Sequence, residues 1–169
     1  MQSFNESLFY ILHGLSGQHT LIDWIIIAFA EYLPWLVAFF VLYSAHQAWR
    51  NHKRYDVFSY ALAILSAGLA KGTADIIRLY IDSPRPSFAL DVEPLFSMTT
   101  HSLPSGHASF FFALAMGMYF INKKYSIALF VCAAVICVAR VAAGVHWPLD
   151  ILAGAALGTV IAWFVCRRW

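Results

Sequence analysis

Charged side chains are scarce in this sequence. Of its 169 residues, 12% are Asp, Glu, Lys or Arg, whereas 61% are hydrophobic. A soluble domain carries about a quarter charged residues, so this chain has too few to cover a water-facing surface. The shortage excludes an ordinary soluble domain and indicates an integral membrane protein with one domain, 1–169. The formal net charge of +2 is too small to suggest a nucleic-acid partner.

Cysteine is also rare. Cys132, Cys137 and Cys166 all lie within apolar runs, and the spacing of the first two is not that of metal ligands. We interpret them as packing residues and predict neither a disulfide nor a metal site. The opening segment MQSFNESLFYILHG lacks the basic stretch and the small-residue cleavage site of a secretory signal. A short interfacial helix over 4–13 is predicted there instead.

Proline and glycine are few, with 6 and 9 residues, and they separate long apolar runs. The predicted fold is an all-α membrane helical bundle with about five spanning helices. The predicted spans are 21–45, 57–81, 106–122, 125–144 and 149–166. Pro34 is expected to kink the first span, and the proline-rich interval 82–105 to form a loop. Gly154 and Gly158 are expected to let the last helix pack closely against a neighbour.

Basic residues predict the orientation of the spans. Three basic clusters fall on one side of a five-span arrangement: 50–54, Lys123–Lys124 and Arg167–Arg168. Basic loops stay on the cytoplasmic side. The sequence therefore predicts a multi-pass membrane protein, with its N-terminus, the loop 82–105 and the turn 145–148 on the outer face.

That outer face carries side chains suited to an anion. They are Arg78, Arg85, Ser105, Gly106, His107, Arg140, His146 and Asp150. Guanidinium groups bind phosphate through paired hydrogen bonds. The sequence PSGH at a helix start adds backbone N–H groups and the positive end of the helix dipole. This combination predicts a phosphate site at the membrane surface.

The segment HWPLD supplies the second half of the predicted chemistry. Asp150, in the first turn of the last helix, can hold one ring nitrogen of His146 and leave the other free as a nucleophile. His107 can then protonate the leaving oxygen. These groups predict phosphoryl transfer that needs no metal and no cofactor.

Three segments carry a family resemblance. RLYIDSPRP, PSGH and RVAAGVHWPLD, in this order, resemble the signature motifs of the type-2 phosphatidic acid phosphatase superfamily, which includes lipid phosphate phosphatases and vanadium haloperoxidases. The resemblance implies that His146 forms a phosphohistidine, that Asp150 orients it and that His107 is the general acid. It also implies which groups hold the phosphate: Arg85, Ser105, Gly106 and Arg140.

Two positions depart from the superfamily pattern. Arg78 stands where a lysine is usual, seven positions before Arg85, and Ala139 stands where a serine is usual. We expect Arg78 to keep the phosphate-binding charge with a different geometry. The segment ILHGLSGQHTLIDWIIIAFAEY resembles small BcrC-like undecaprenyl diphosphate phosphatases. This resemblance implies removal of the terminal phosphate from undecaprenyl diphosphate at the outer face of the bacterial cytoplasmic membrane.

Ionisable residues within predicted spans are further candidates. Glu31 and Lys71 fall at similar depths in neighbouring antiparallel spans, so we expect them to pair, with an Asp75–Arg78 pair above. A purely structural role is favoured for these groups. His101 is a supporting candidate because it lies close to PSGH in the sequence.

The motifs describe the phosphate and not the lipid. Phosphatidylglycerophosphate, phosphatidic acid and lipid A phosphate therefore stay open as alternative substrates. A non-catalytic anion-binding or transport protein is the alternative of a different class, and a vanadate-dependent oxidase is disfavoured by the membrane-buried sequence. The sequence leaves open the oligomeric state and whether the loop 82–105 gates lipid entry.

Overall fold

The computed structural model describes residues 4–98 and 101–167, and the regular structure within these ranges is helical. The helices are α1 (Phe4–His13), α2 (Thr20–Ile27), α3 (Leu33–Arg50), α4 (Arg54–Tyr80), α5 (Pro86–Ala89), α6 (Gly106–Tyr119), α7 (Lys123–Ala142) and α8 (Pro148–Cys166). The all-α prediction is confirmed. Of the residues named in the sequence predictions, Arg168 lies outside the described ranges, as do positions 99–100 of the predicted loop.

The chain is a multi-pass membrane protein. Four stretches of the described residues are long and apolar enough to cross a membrane: Thr20–Arg50, Arg54–Tyr80, Lys123–Ala142 and Pro148–Cys166. The remaining predicted span, 106–122, contains the 14-residue helix α6. At 1.5 Å per residue it is about 21 Å long, which is less than the roughly 30 Å of a hydrocarbon core. The helix ends at Tyr119, so the span predicted over 106–122 was too long.

Helix α6 is the centre of the bundle. Nine of its 14 residues are buried, and it packs between α4 and α8. Small residues make this possible: a Cβ added to Gly117 would lie 2.7 Å from the Cβ of Ala63, and one added to Gly154 would lie 2.9 Å from that of Ala108. Gly158 packs directly against the backbone of Ser109. The close packing predicted for the two glycines of α8 is confirmed, and it holds the start of α6 against α8.

A helical irregularity interrupts the first span before Pro34. A π-helical turn, Ala28–Tyr32, joins α2 to α3, and Pro34 follows in the first turn of α3. Proline has no N–H, so it cannot donate an α-helical hydrogen bond to the carbonyl of Ala30, four residues earlier. π-helical turns of this kind often occur at functional sites.

The helix predicted over 4–13 is present as α1, with the predicted bounds. Phe9 is its fully buried residue, and its ring lies 5.3 Å from that of Trp147 between centroids. The side chain of Asn5 accepts a hydrogen bond from the amide of Leu149 at 3.1 Å. Helix α1 therefore packs on the turn between α7 and α8 and supplies a hydrogen-bond acceptor to the first turn of α8.

Candidate active site

The turn between α7 and α8 holds a buried histidine and carboxylate. His146 and Asp150 are each 2% exposed. Pro148 starts α8, and Oδ2 of Asp150 accepts a hydrogen bond from the amide of Trp147 at 2.7 Å. The same oxygen lies 3.4 Å from Nδ1 of His146. The carboxylate thus faces Nδ1 and leaves Nε2 directed elsewhere.

Arg85 lies on the other side of the His146 ring. Its Nη1 is 3.5 Å from Nε2 of His146, and the same nitrogen donates to the carbonyl of Val145. Its Nη2 donates to the carbonyl of His101 at 3.3 Å. These carbonyls hold a buried guanidinium group over the ring nitrogen that Asp150 does not face.

Burial sets the protonation states around His146. It lowers the pKa of Arg85 to about 10, in the same direction as the charges of Arg140 and Arg78, while Asp150 opposes the shift. Arg85 still carries its charge at neutral pH. Burial also lowers the pKa of His146 to about 4, against the opposing hydrogen bond with Asp150. His146 is therefore neutral at pH 7. The neighbouring cations, Arg85 and Arg140, would be stabilised by a bound anion.

Arg140 makes a similar contact with the second histidine. This fully buried residue has its Nη1 3.4 Å from Nε2 of His107 and 3.0 Å from Oε1 of Glu31. The same Nη1 donates to the carbonyl of Ala30 at 3.3 Å. Because Pro34 cannot donate to that carbonyl in the α-helical pattern, the irregular turn makes an acceptor available for Arg140.

The expected ion pair between Glu31 and Lys71 is wrong. Glu31 pairs with Arg140, and Nζ of Lys71 lies 2.7 Å from Oδ2 of Asp75. A buried guanidinium group needs a counter-charge, which Glu31 supplies, whereas the i, i+4 spacing on α4 brings lysine and aspartate together within one helix. The expected Asp75–Arg78 pair is present, at 2.5 Å.

Arg78 contacts the start of α6, where PSGH lies. A Cβ added to Gly106 would be 2.6 Å from Nη2 of Arg78, so glycine allows the guanidinium group to approach the backbone. The Ser105 hydroxyl accepts a long, 3.5 Å contact from the amide of Ala108, as a helix cap, and the Ser105 amide donates to the carbonyl of Asp150 at 3.0 Å. These contacts use the Ser105 amide as a donor and the Ser105 hydroxyl oxygen as an acceptor. They leave the hydroxyl hydrogen as the donor that Ser105 can offer to a phosphate.

A cavity of about 290 Å³ lies beside His107, between α3, α4 and α6. Its polar lining is formed by Glu31, Lys71 and His107. One helical turn deeper along α3 and α6, Trp35 and Phe110 make the lining apolar. Because Trp35 is 75% exposed, the cavity reaches the side of the bundle that faces lipid.

Comparison with known proteins identifies the family. The model of the PAP2 superfamily matches residues 56–169, which is more than half of the chain and includes all three predicted motifs. The chain belongs to the PAP2 superfamily. The resemblance inferred from the motifs is confirmed, and membership supports a lipid phosphatase.

Individual PAP2 relatives agree with the BcrC-like resemblance. The chain is 27% identical to undecaprenyl-diphosphatase BcrC of Bacillus subtilis (strain 168) over 164 residues, 96% of this chain and 83% of that protein. It is 24% identical to bacitracin transport permease protein BcrC of Bacillus licheniformis, over 95% of this chain and 78% of that protein. The crystal structure of Aquifex aeolicus LpxE matches with a TM-score of 0.78 and 26% identity, covering 99% of this chain and 97% of that one.

One residue near the PAP2 motifs was missed by the sequence reasoning. Ser102 is fully buried, its hydroxyl donates to Oδ2 of Asp150, and the same hydroxyl lies 3.4 Å from Nδ1 of His146. Its amide donates to the carbonyl of Ser83 at 2.9 Å. The signal was a serine three positions before Ser105, in a loop that enters the motif.

The loop between α4 and α6 packs against the end of α7. The ring of Phe96 lies 5.4 Å from the guanidinium carbon of Arg140, and Sδ of Met98 lies 3.9 Å from its Nη2. His101, a predicted supporting residue, contributes its carbonyl to Arg85, while its half-exposed ring faces Asp82 at 3.4 Å. The described part of this loop therefore covers Arg140.

Proposed function

We propose that this protein is a lipid phosphatase that removes the terminal phosphate of undecaprenyl diphosphate through a phosphohistidine on His146. One observation carries the proposal. Two histidines each turn Nε2 toward an arginine: His146 toward Arg85 at 3.5 Å and His107 toward Arg140 at 3.4 Å. Such an arrangement provides a nucleophile, an acid and cationic groups for one phosphoryl group.

The proposed reaction has two steps. Nε2 of His146 attacks the terminal phosphorus, the bond from phosphorus to the bridging oxygen breaks, and His107 gives its proton to that oxygen. The negative charge of the bound phosphate favours the protonated form of His107. Water, deprotonated by His107, then attacks the phosphohistidine and releases inorganic phosphate. Asp150 orients His146 by accepting from Nδ1 throughout.

Cationic groups and N–H donors would hold the transferring phosphoryl group. Charge that builds on its equatorial oxygens would be stabilised by Arg85, Arg140 and Arg78, with the Ser105 hydroxyl and the Gly106 amide at the start of α6. No step requires a metal ion. Activity that survives chelation with EDTA is therefore expected.

The lateral cavity supports a lipid substrate. Its polar lining includes His107, and its apolar lining, with Trp35 and Phe110, reaches the lipid-facing side of the bundle. A headgroup at the histidines would thus leave its chain directed into the bilayer. The undecaprenyl diphosphate specificity rests on the BcrC relative named an undecaprenyl-diphosphatase.

The proposed membrane is the bacterial cytoplasmic membrane, with the site outside. The basic residues at the start of α4 and α7, Arg54 and Lys123, lie at the opposite ends of those helices from Arg78 and Arg140. Basic ends stay in the cytoplasm. A membrane-impermeant thiol reagent should therefore modify a cysteine introduced at Phe88 in intact cells, and fail with one introduced at Asn51.

Phosphate release by the purified protein tests the function. Undecaprenyl diphosphate and a phosphatidic acid are offered with EDTA present, and the diphosphate should be hydrolysed faster. His146→Ala should lower the rate by at least about 10³-fold, while His46→Ala, on an exposed residue of α3, should not. Full activity of His146→Ala would contradict the mechanism. A wild-type protein without hydrolysis would favour the transport alternative, which the name of one relative suggests.

A further inference from the structure

Lys71 is a charged residue that the proposed reaction does not use. It lies on α4, ten residues before the C-cap residue Ile81, and its side chain is 54% exposed. It lines the lateral cavity together with His107 and Gly106. A lysine at this depth within a membrane-spanning helix is costly, and such residues usually serve a ligand or a partner charge.

A chain of contacts links Lys71 to the phosphate motif. Its Nζ lies 2.7 Å from one oxygen of Asp75, and the other oxygen of Asp75 lies 2.5 Å from Nη2 of Arg78. That guanidinium group rests against Gly106 at the start of α6. Two cations therefore flank one carboxylate and extend from PSGH into the cavity, with a net charge of +1 for the three groups.

Lys71, Asp75 and Arg78 extend toward the side of the site where the lipid phosphate would leave in the proposed reaction. In the proposed reaction His107 protonates the bridging oxygen, so the departing lipid phosphate lies on the side of His107 that faces the cavity. Lys71 is the lysine of that cavity wall. The departing phosphate carries negative charge on its non-bridging oxygens before and after the bond breaks, and a nearby ammonium group stabilises this charge.

We propose that Lys71 binds the phosphate that stays on the lipid and thereby makes the enzyme prefer a lipid diphosphate to a lipid monophosphate. This inference rests on the proposed phosphatase function. A monophosphate places its only phosphate at His146 and offers Lys71 no anion. A diphosphate offers one phosphate to each position, so Lys71 is a specificity-determining residue of the same site.

The test compares two short-chain substrates, farnesyl diphosphate and farnesyl monophosphate. The measured quantity is the ratio of their kcat/KM values. We expect Lys71→Met to lower this ratio by about 10-fold, as the loss of one charge-assisted contact does. Lys71→Arg, which keeps the charge, should restore most of it. Lys124→Met, on an exposed lysine at the start of α7, should leave the ratio at its wild-type value.

Several outcomes would overturn the inference. One is a wild-type protein that hydrolyses both substrates with equal kcat/KM, which requires no variant. Another is a Lys71→Met protein that loses activity on both substrates in equal proportion, as a structural role would cause. If the wild type hydrolyses the diphosphate and Lys71→Met leaves the ratio of kcat/KM values unchanged, this inference alone is wrong. If the wild type hydrolyses neither substrate, the proposed function is wrong as well.

Discussion

The two histidines of the site have matching contacts on one nitrogen and different surroundings otherwise. Nε2 of His146 and Nε2 of His107 each lie 3.4–3.5 Å from an arginine. His146 is buried and has Asp150 and the Ser102 hydroxyl on its Nδ1 side. His107 is only partly buried and lines the lateral cavity.

This difference suggests a division of roles. A nucleophile must keep one orientation and stay unprotonated, which burial and a fixed carboxylate achieve for His146. An acid must exchange protons with the leaving oxygen and with water, so access from the cavity suits His107. The arginines also differ, because Arg140 has the counter-ion Glu31 and Arg85 is held by backbone carbonyls.

The largest expected effect separates the two histidines by leaving group. His146→Ala should lower kcat by at least about 10³-fold for every substrate, since the proposed mechanism has no other group that forms the covalent intermediate. His107→Ala should lower it by about 10²-fold for an alkyl phosphate and by far less for a p-nitrophenyl phosphate ester, whose leaving group needs no proton. Phosphate release or nitrophenolate absorbance measures both.

The contrast fails if His107→Ala loses equal activity on both esters. That result would assign His107 to phosphate binding. The reverse result, with the nitrophenyl ester rescuing His146→Ala, would assign the nucleophile to another group.

The protonation of His146 sharpens the comparison further. Its pKa is lowered to about 4, mainly by burial, so the ring should stay neutral while pH falls from 7 and take up a proton only near pH 4. The unfolded chain binds that proton near the ordinary value of about 6.5. Protein stability should therefore fall as pH decreases between these two values.

Histidine-ring NMR of the free protein measures this titration, with the His146 signal assigned by its loss in His146→Ala. A midpoint near 6.5 would contradict the burial argument. On the acid limb of its pH profile, kcat/KM should correspondingly lose about tenfold per pH unit below the measured midpoint.

Ser102 provides a test confined to the His146 half. Ser102→Ala removes the donor to Asp150 and leaves the contacts of His107 unchanged. We expect kcat to fall by about 10-fold with both alkyl and nitrophenyl esters, because attack is affected and proton donation is not. Ser87→Ala, in the neighbouring helix α5, is the matched control. An effect seen only with the alkyl ester would move Ser102 to the acid half.

Much of this arrangement could be predicted from the sequence. Apolar runs predicted the helices, since the backbone of a spanning segment must satisfy its own hydrogen bonds. The motifs predicted the family and led to the buried His146, Asp150, Arg85 and Arg140. Such residues are informative because charged groups are rare in a membrane chain unless they have partners.

Partner choice between helices could not be predicted in the same way. Depth alone suggested a pair of Glu31 and Lys71, but depth does not determine the rotation of a helix about its axis. The irregular turn before Pro34 sets that rotation for Glu31 and directs it to Arg140. Ser102 was missed because its role depends on how a proline-rich loop folds back onto Asp150.

The smallest expected effect concerns the ion pair of the acid half. Glu31→Gln removes the counter-charge of Arg140, which is buried, while the lost carboxylate is half-exposed. We expect the free protein to lose about 1–2 kcal/mol of stability, because a buried cation is left without its anion.

Added inorganic phosphate should restore part of this loss, since its charge then replaces that of Glu31. The increase in melting temperature on adding phosphate should thus be larger for Glu31→Gln than for the wild type, and Glu93→Gln, on an exposed residue of the loop, should match the wild type. An equal increase in all three proteins would mean that phosphate does not reach Arg140, and the similarity between the two arginine–histidine contacts would then have no functional meaning.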